Sequence, residues 1–479
     1  MPPFDRICRA ITLLGVSFVV LTAPWFFGAW EQWWFWPFVA AIFLGTLGFA
    51  GTMIASSWAD RAKGGTHARS LKMLGVLAFL PFLIYAFVRC LQAEVFMDAE
   101  RSLLLHLTAW LLAIQILFVF SRKQAHLLFQ LLLADLCLLG LYGLINHELT
   151  GSRLVLWCEG YPQYQGRLTG TYYCPDHFAG VMELAFCLCL APLLSRGLGW
   201  RWRVWPGLLA SIALVAVVLS KSRGGGLTIL TVLATALVWG FSQWPIRIRW
   251  CLRVIVACLG MLALLLFVHF ANDYMTRFKA YFGWDQAQGE SLEDLRRAVV
   301  TRLDAVDRVQ MAAAALRAWK TAPVFGIGPG MHQNLWRHFA ASADGDRQAH
   351  KWPTHPNDTY HSYEVHNDWV QLLEEYGLVG FALFAVSAAI VFGVFLRDLR
   401  AQSRTLAAHG WQARGDEPHA FVLAGLLAMV CMGFHSLGDF NLQIPATTWI
   451  LAAILGVAGA HVGEEAVMAG APPSGGDEP

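Results

Sequence analysis

Long apolar runs separated by short polar loops set the pattern of this chain. A bilayer core takes about 20 consecutive apolar residues per helix. Twelve stretches approach that length: 11–28, 35–55, 71–91, 103–120, 126–146, 177–195, 205–220, 224–241, 250–271, 369–397, 419–436 and 445–461. The pattern predicts an all-α polytopic membrane protein with about 12 transmembrane helices. Pro24 and the Trp-rich segment behind the first run argue against a cleaved signal, because no small-residue cleavage site follows.

Composition agrees. Hydrophobic residues make up 57% of the chain and charged residues 14%, against roughly 25% charged in soluble domains. The net charge of +2 says little; its distribution says more. Arg6 and Arg9 precede the first run. Arg61, Lys63, Arg69 and Lys72 follow the second, and Arg122 and Lys123 the fourth. Arg196, Arg201 and Arg203 follow the sixth, Arg247, Arg249 and Arg253 the eighth, and Arg397, Arg400, Arg404 and Arg414 the tenth. Alternate loops are poorer in Lys and Arg, so the positive-inside rule predicts cytoplasmic termini. It sends the long hydrophilic stretch 272–366 outward, with the 147–176 loop and the SKSRGGG and HSLGDFN corners. The expected divisions are 1–271 (nine helices), 272–366 (a large outward helical loop), 367–463 (three helices) and 464–479 (a disordered cytoplasmic tail). Of the ten cysteines, most lie in apolar runs and behave as small hydrophobes. Cys158 and Cys174 share one outward loop, where an oxidising compartment would permit a disulfide.

Within the outward stretch, 291–322 reads as an amphipathic helix. Ser291 is its N-cap, with Asp294 three residues on, and Pro323 ends it. Its charged face carries Arg296, Arg297, Arg302, Arg308 and Arg317, a solvated face on the plainest reading. Gly326 to Gly330 (GIGPG) lacks the strand and spacing of a nucleotide loop and reads as a tight turn back to the membrane. His332, His338, His350, His355, His361 and His366 match no standard zinc spacing.

Polar residues at the apolar boundaries are costly unless they snorkel, pair or bind something. Lys221 can snorkel. Arg223, between Ser222 and three glycines, suits an anion, because glycine lets a bulky ligand approach the backbone. His177 opens the sixth helix after TGTYYCPD. His435, Asp439 and Asn441 close the eleventh. His366, Asn367 and Asp368 stand at the mouth of the tenth, where Asn and Asp are ordinary caps. Glu375 falls on the far side of that helix, about 2.5 turns on at ~3.6 residues per turn, and reads as packing.

Four ordered elements resemble the bacterial O-antigen ligase and O-antigen polymerase superfamily, over roughly 165–445. They are Ser220, Ser222, Arg223 and Gly224; Arg308 with Pro323, Gly326, Gly328 and Gly330; His366, Asn367, Trp369, Glu375, Gly377 and Gly380; and His435, Ser436, Asp439, Phe440, Leu442 and Pro445. The resemblance implies a GT-C class glycosyltransferase of the bacterial inner membrane with its site facing the periplasm. It implies transfer of a glycan from undecaprenyl pyrophosphate to an acceptor hydroxyl, inverting, with no cofactor, metal or nucleic acid. Lipid A–core is the favoured acceptor; a growing polysaccharide or a protein is the alternative. By motif match Arg223 and Arg308 face the pyrophosphate, since an arginine fork suits phosphate oxygens, and Arg302 helps. His366 is the general base, its unperturbed pKa of about 6.5 suiting that task. Asn367 and Asp368 cap the helix or orient His366. Lys221, Ser222, His177, Asn367 and Asp439 are candidate substrate-binding residues. A transporter or flippase is the alternative from another class, though such proteins often show two related halves; a scaffold subunit is a third.

Overall fold

The apolar runs fold as helices in a computed structural model that describes residues 3–57, 66–194, 200–243, 307–341, 362–409 and 417–463, with 254, 258 and 261 as isolated positions. The helices are α1 (Pro3–Thr22), α2 (Gln32–Ser57), α3 (Thr66–Ala78), α4 (Leu80–Leu91), α5 (Phe96–Val119), α6 (Arg122–Thr150), α7 (Pro175–Leu194), α8 (Trp200–Leu219) and α9 (Arg223–Gln243). After them come α10 (Asp307–Thr321), α11 (His332–Ala341), α12 (Asp368–His409), α13 (Glu417–His435) and α14 (Pro445–Ala460). A two-residue antiparallel pair joins Leu154–Val155 to Cys158–Glu159. The protein is an all-α polytopic membrane protein.

The expected spans divide three ways. Seven helices are long and apolar enough to cross a membrane, by length and composition. Four shorter apolar helices, Val204–Leu219, Arg223–Trp239, His419–His435 and Pro445–Ala460, account for the next four. Most are short because a polar corner cuts them: α9 starts at Arg223, α13 ends at His435 and α14 starts at Pro445. The remaining span, 250–271, lies outside the described residues except for isolated positions. So do Arg302 with the first half of the arginine helix, His350, His355 and His361, and the tail 464–479. The run at 71–91 is interrupted, with α3 ending at Ala78 and α4 starting at Leu80. Pro81 lacks the N–H that a continuous helix would need there.

At the centre stands α7, buried along its whole length. It packs against α6, α8, α9 and α13. A helix apolar all round belongs in such a position. The exceptions in α7 are Asp176, His177 and Glu183, all buried, and they define the polar end of the bundle. Cys158 and Cys174, offered above as a disulfide, are both free thiols.

A bend in α12 fixes the mouth of that end. Gly377 adopts φ 65°, ψ −172° inside the helix, a region open essentially to glycine alone. The break releases backbone groups that must find partners, and the GIGPG segment supplies them. Ile327 N donates to Glu374 O (2.9 Å) and Gly328 N to Glu375 O (3.0 Å). Leu378 N returns to Pro323 O (2.9 Å) and Val379 N to Val324 O (3.1 Å). The two chains touch so closely that a Cβ on Gly326 would lie 2.3 Å from Glu375 O. Tyr85 and Arg89 of α4 tie the joint further, bonding Tyr376 O (2.8 Å) and Gly326 O (3.0 Å). GIGPG therefore clamps α10 to the bend in α12.

Candidate active site

Four elements converge on Asp439, in the turn between α13 and α14. His366 Nδ1 donates to Asp439 Oδ1 at 3.0 Å. His177 Nε2 stands 3.8 Å from the same oxygen. On the other oxygen, His435 Nε2 lies at 3.8 Å and Arg308 Nη2 at 4.0 Å. Asp439 itself is 1% exposed, while the side chains of His366 and Arg308 are 24% and 32% exposed. The carboxylate is thus the buried hub, and the His366 imidazole and the Arg308 guanidinium are its outer, reachable partners. Burial alone would raise the Asp439 carboxyl. The Arg308 guanidinium and the neighbouring histidines outweigh burial and hold it well below the usual carboxylate range.

Each partner is positioned by its own element. His366 sits at φ 57°, a left-handed conformation uncommon for histidine, just before α12. The Phe440 ring meets the His366 and His177 rings edge-on at 4.5 and 4.4 Å, so both imidazoles are steered by one aromatic face. Arg308 opens the described part of α10. Its Nη1 donates to Gly438 O (2.5 Å) and its Nη2 to Asp176 Oδ2 (3.1 Å). Asp176 also accepts from Arg167 Nη2 (2.8 Å), and Arg167 Nε holds Ser220 O (2.9 Å). That chain links the TYYCPDH loop to the SKSRGGG corner.

The corner packs on α13 and α7. A Cβ on Gly224 would lie 3.6 Å from His435 Nε2, and one on Gly225 would lie 2.9 Å from Glu183 Oε1. Arg223, half-buried, starts α9 at this point. Ser222 Oγ accepts from Gly225 N (3.2 Å), the bond of an N-cap. Lys221 takes φ 53° in the turn before it. Deeper in the bundle, His435 Nδ1 bonds Glu183 Oε2 at 2.8 Å. Glu183, His435, Asp439 and His366 therefore form a line of alternating acids and imidazoles from the core to the mouth.

The structure separates the roles that Asn367 and Asp368 could have filled. Asn367 Oδ1 accepts from Val370 N (3.0 Å) and Nδ2 donates to Leu437 O (2.9 Å). It caps α12 and grips the HSLGDFN turn. Asp368 accepts from Ser436 Oγ (2.7 Å) and Leu442 N (3.1 Å), pinning the same turn. Neither orients His366; Asp439 does. Glu375 is buried and accepts from Gln371 Nε2 (3.3 Å). His332 is paired with Glu374 (2.8 Å) and Ser362 (3.1 Å). His366, Arg308, Asp439 and His177 are thus brought together. Arg223, Ser222 and Lys221 form the adjoining corner, and Arg302 lies outside the described residues.

Sequence reasoning passed over Asp176, Arg167, Glu183 and Phe440 as site residues. Asp176 and Glu183 did leave a signal, being carboxylates inside an otherwise apolar run.

The geometry accords with the comparisons. Residues 208–385 match the family model described as O-antigen ligase. The match takes in Ser222, Arg223, Arg308, the GIGPG clamp and His366. No curated protein matches the chain. The match over residues 208–385 supports the O-antigen ligase and polymerase superfamily that the motifs implied for this domain, within a multi-pass membrane protein.

Proposed function

Starting from that domain, we propose that the protein is a GT-C class glycosyltransferase that moves a glycan from undecaprenyl pyrophosphate to an acceptor hydroxyl, most specifically in ligation to lipid A–core. The observation that carries the reading is the placing of a histidine base and an arginine around one buried carboxylate. An ionised carboxylate can only accept hydrogen bonds. Asp439 therefore keeps the His366 proton on Nδ1 and leaves Nε2 as the basic nitrogen, the arrangement that general-base catalysis requires.

The step balances simply. The acceptor oxygen attacks the anomeric carbon while His366 Nε2 takes its proton. The bond from that carbon to the pyrophosphate oxygen breaks, and its electron pair leaves on the phosphate. Arg308 and Arg223 meet the growing charge, as preorganised donors do where water is excluded. Attack opposite the carrier inverts the centre. His177, Asp176 and Arg167 hold the cluster in place. No step calls on a metal.

A lipid tail has a place to go. An apolar groove of about 230 Å³ extends from Lys72 and Gly75 of α3 to Asp368 and Gln443 beside the catalytic turn. A polyprenyl chain lying there would bring its pyrophosphate end to the polar end of the bundle. A Cβ on Gly75 meets nothing within 4 Å, so the side chain of Gly75→Phe starts into open space beside the groove and narrows it. It should raise KM for the lipid-linked donor; an unchanged KM would place the tail elsewhere.

The decisive experiment is transfer by purified protein. Labelled undecaprenyl-pyrophosphate glycan and lipid A–core should yield glycosylated lipid with EDTA present. Label appearing on a lengthened polymer or on protein instead would change the acceptor and keep the chemistry. Movement of a solute across proteoliposomes without glycosyl transfer would replace the reading with transport.

A further inference from the structure

Beside the catalytic cluster lies a second cavity that its chemistry does not use. It encloses about 370 Å³ between the start of α2, the start of α5, and the Tyr363–Glu375 segment. That volume lies within the ~300–1,000 Å³ of small-molecule sites. Its rim is aromatic: Trp33, Tyr363 and Tyr161 are 67%, 58% and 49% exposed. Its wall is acidic: Glu31, Asp98, Glu364 and Glu375 face it, with Arg101 as the cation. Arg101 lies among these acids, its guanidinium stacked over Trp30 at 4.9 Å and bonded to the Trp30 carbonyl, so one cation stands against four carboxyls.

We propose that this cavity is a saccharide subsite that takes a neutral or amine-bearing segment of the glycan. The proposal rests on the transferase reading above and extends it. A sugar ring has an apolar C–H face and an edge of hydroxyls. Exposed aromatic rings supply surface for the first, and a carboxylate such as Glu31 with the Gln333 amide supplies acceptors and donors for the second. Apolar lipid tails would strand those polar groups without partners. Among the described residues no three His, Cys, Asp or Glu side chains converge as metal ligands would, so the acids line a wall. The surplus of negative charge opposes uronates and phosphates. Burial pushes the Glu364 carboxyl up to about 7, which adds a hydroxyl donor to the wall near neutral pH.

Position completes the argument. Trp30 lines the cavity and lies 5.9 Å from the Phe440 ring, which also meets the His366 and His177 rings. Two aromatic rings, Trp30 and Phe440, thus connect the cavity wall to His366. The anionic pyrophosphate thus belongs with Arg308, and the uncharged sugars belong on the acidic side.

The test is direct binding to the full chain in nanodiscs, read by calorimetry and saturation-transfer NMR. Three probes without lipid or pyrophosphate distinguish the sources. They are the oligosaccharide released by mild acid from the host's lipid-linked pool, the oligosaccharide freed from lipid A–core, and trigalacturonate. At least one of the first two should bind, and bind more tightly than trigalacturonate. Trp33→Ala should weaken it about tenfold, the scale of losing one aromatic face, and raise the KM for that glycan while sparing kcat. Trp205→Ala, a Trp 65% exposed on α8, should change neither and so controls for membrane anchoring. Absence of binding by both oligosaccharides, wild-type binding by Trp33→Ala, an equal loss in Trp205→Ala, or preference for trigalacturonate would overturn the subsite. The two readings fail separately. Trp33-dependent binding without any transfer leaves the subsite and removes the transferase; transfer with no dependence on Trp33 does the reverse.

Discussion

Two polar regions share one end of this bundle and treat their carboxylates in opposite ways. Around Asp439 the acid faces three imidazoles and a guanidinium, which keep it charged. Around Glu364 the acids face amides, other acids and aromatic rings beside Arg101 and His332, and burial outweighs these cations and drives Glu364 toward its neutral form. A buried carboxylate is therefore a different reagent in each place. The first orients a base and anchors a cation, as a charged leaving group would demand. The second presents hydrogen-bonding surface in which carboxyls outnumber the one arginine, Arg101, as hydroxyls would suit. The Trp30 and Phe440 rings run between the two.

The contrast can be broken most severely at Arg308. Arg308→Ala should slow single-turnover transfer by about 10²–10³-fold, the usual loss of ~2.7–4 kcal/mol for a preorganised donor. Arg308→Lys should recover only part of it, because lysine keeps the charge and loses the fork. Normal kinetics in both variants would remove the cation from the mechanism. Next in size is the clamp that holds both regions in register. Gly377→Ala forces alanine into a backbone region that costs about 1–3 kcal/mol and puts its Cβ 2.4 Å from Gly326 N. Thermal unfolding in detergent should move down by several degrees; an unchanged midpoint would show that the bend is not under this constraint.

The smallest effect is also the sharpest comparison, because the two carboxyls give opposite pH slopes. Asp439 lies below its ordinary value of 3.8 when folded. The stability it contributes is present above that value and lost as pH falls through the depressed one. Glu364 lies above its ordinary value of 4.5, at about 7. Its contribution is fully present below 4.5 and lost as pH rises toward 7. Glu364→Gln should flatten the decline between those values and leave the acid limb untouched. An identical stability profile for the variant would mean that Glu364 ionises freely in the fold.

The helices were legible in the sequence because apolar length is a local property. Asp368 to Phe381 also showed its cap and its glycines, yet not that Gly377 bends the helix and Gly326 receives it. That requires two segments far apart in the chain to touch. His366, Arg308 and Asp439 stand out because they lie in ordered motifs, but the motif gives no distance: Asn367 and Asp368 are the residues the sequence offers to orient the histidine, and Asp439 is only a substrate-binding candidate there. Hydrogen-bond geometry decides between them. Trp30, Glu31, Asp98 and Arg101 left no trace at all. They come from the turn just before α2 and from α5, whose sequences carry only ordinary interfacial aromatics and charges, and packing alone joins them to Glu364.

The most direct test is transfer by His366→Ala. Purified wild-type protein and variant should be compared with the same labelled lipid-pyrophosphate glycan and acceptor, with thermal unfolding measured alongside. The variant should keep the wild-type unfolding midpoint and lose about 10²–10⁴ in rate, the usual worth of a general base. A folded His366→Ala protein that transfers at the wild-type rate would contradict the site built around Asp439.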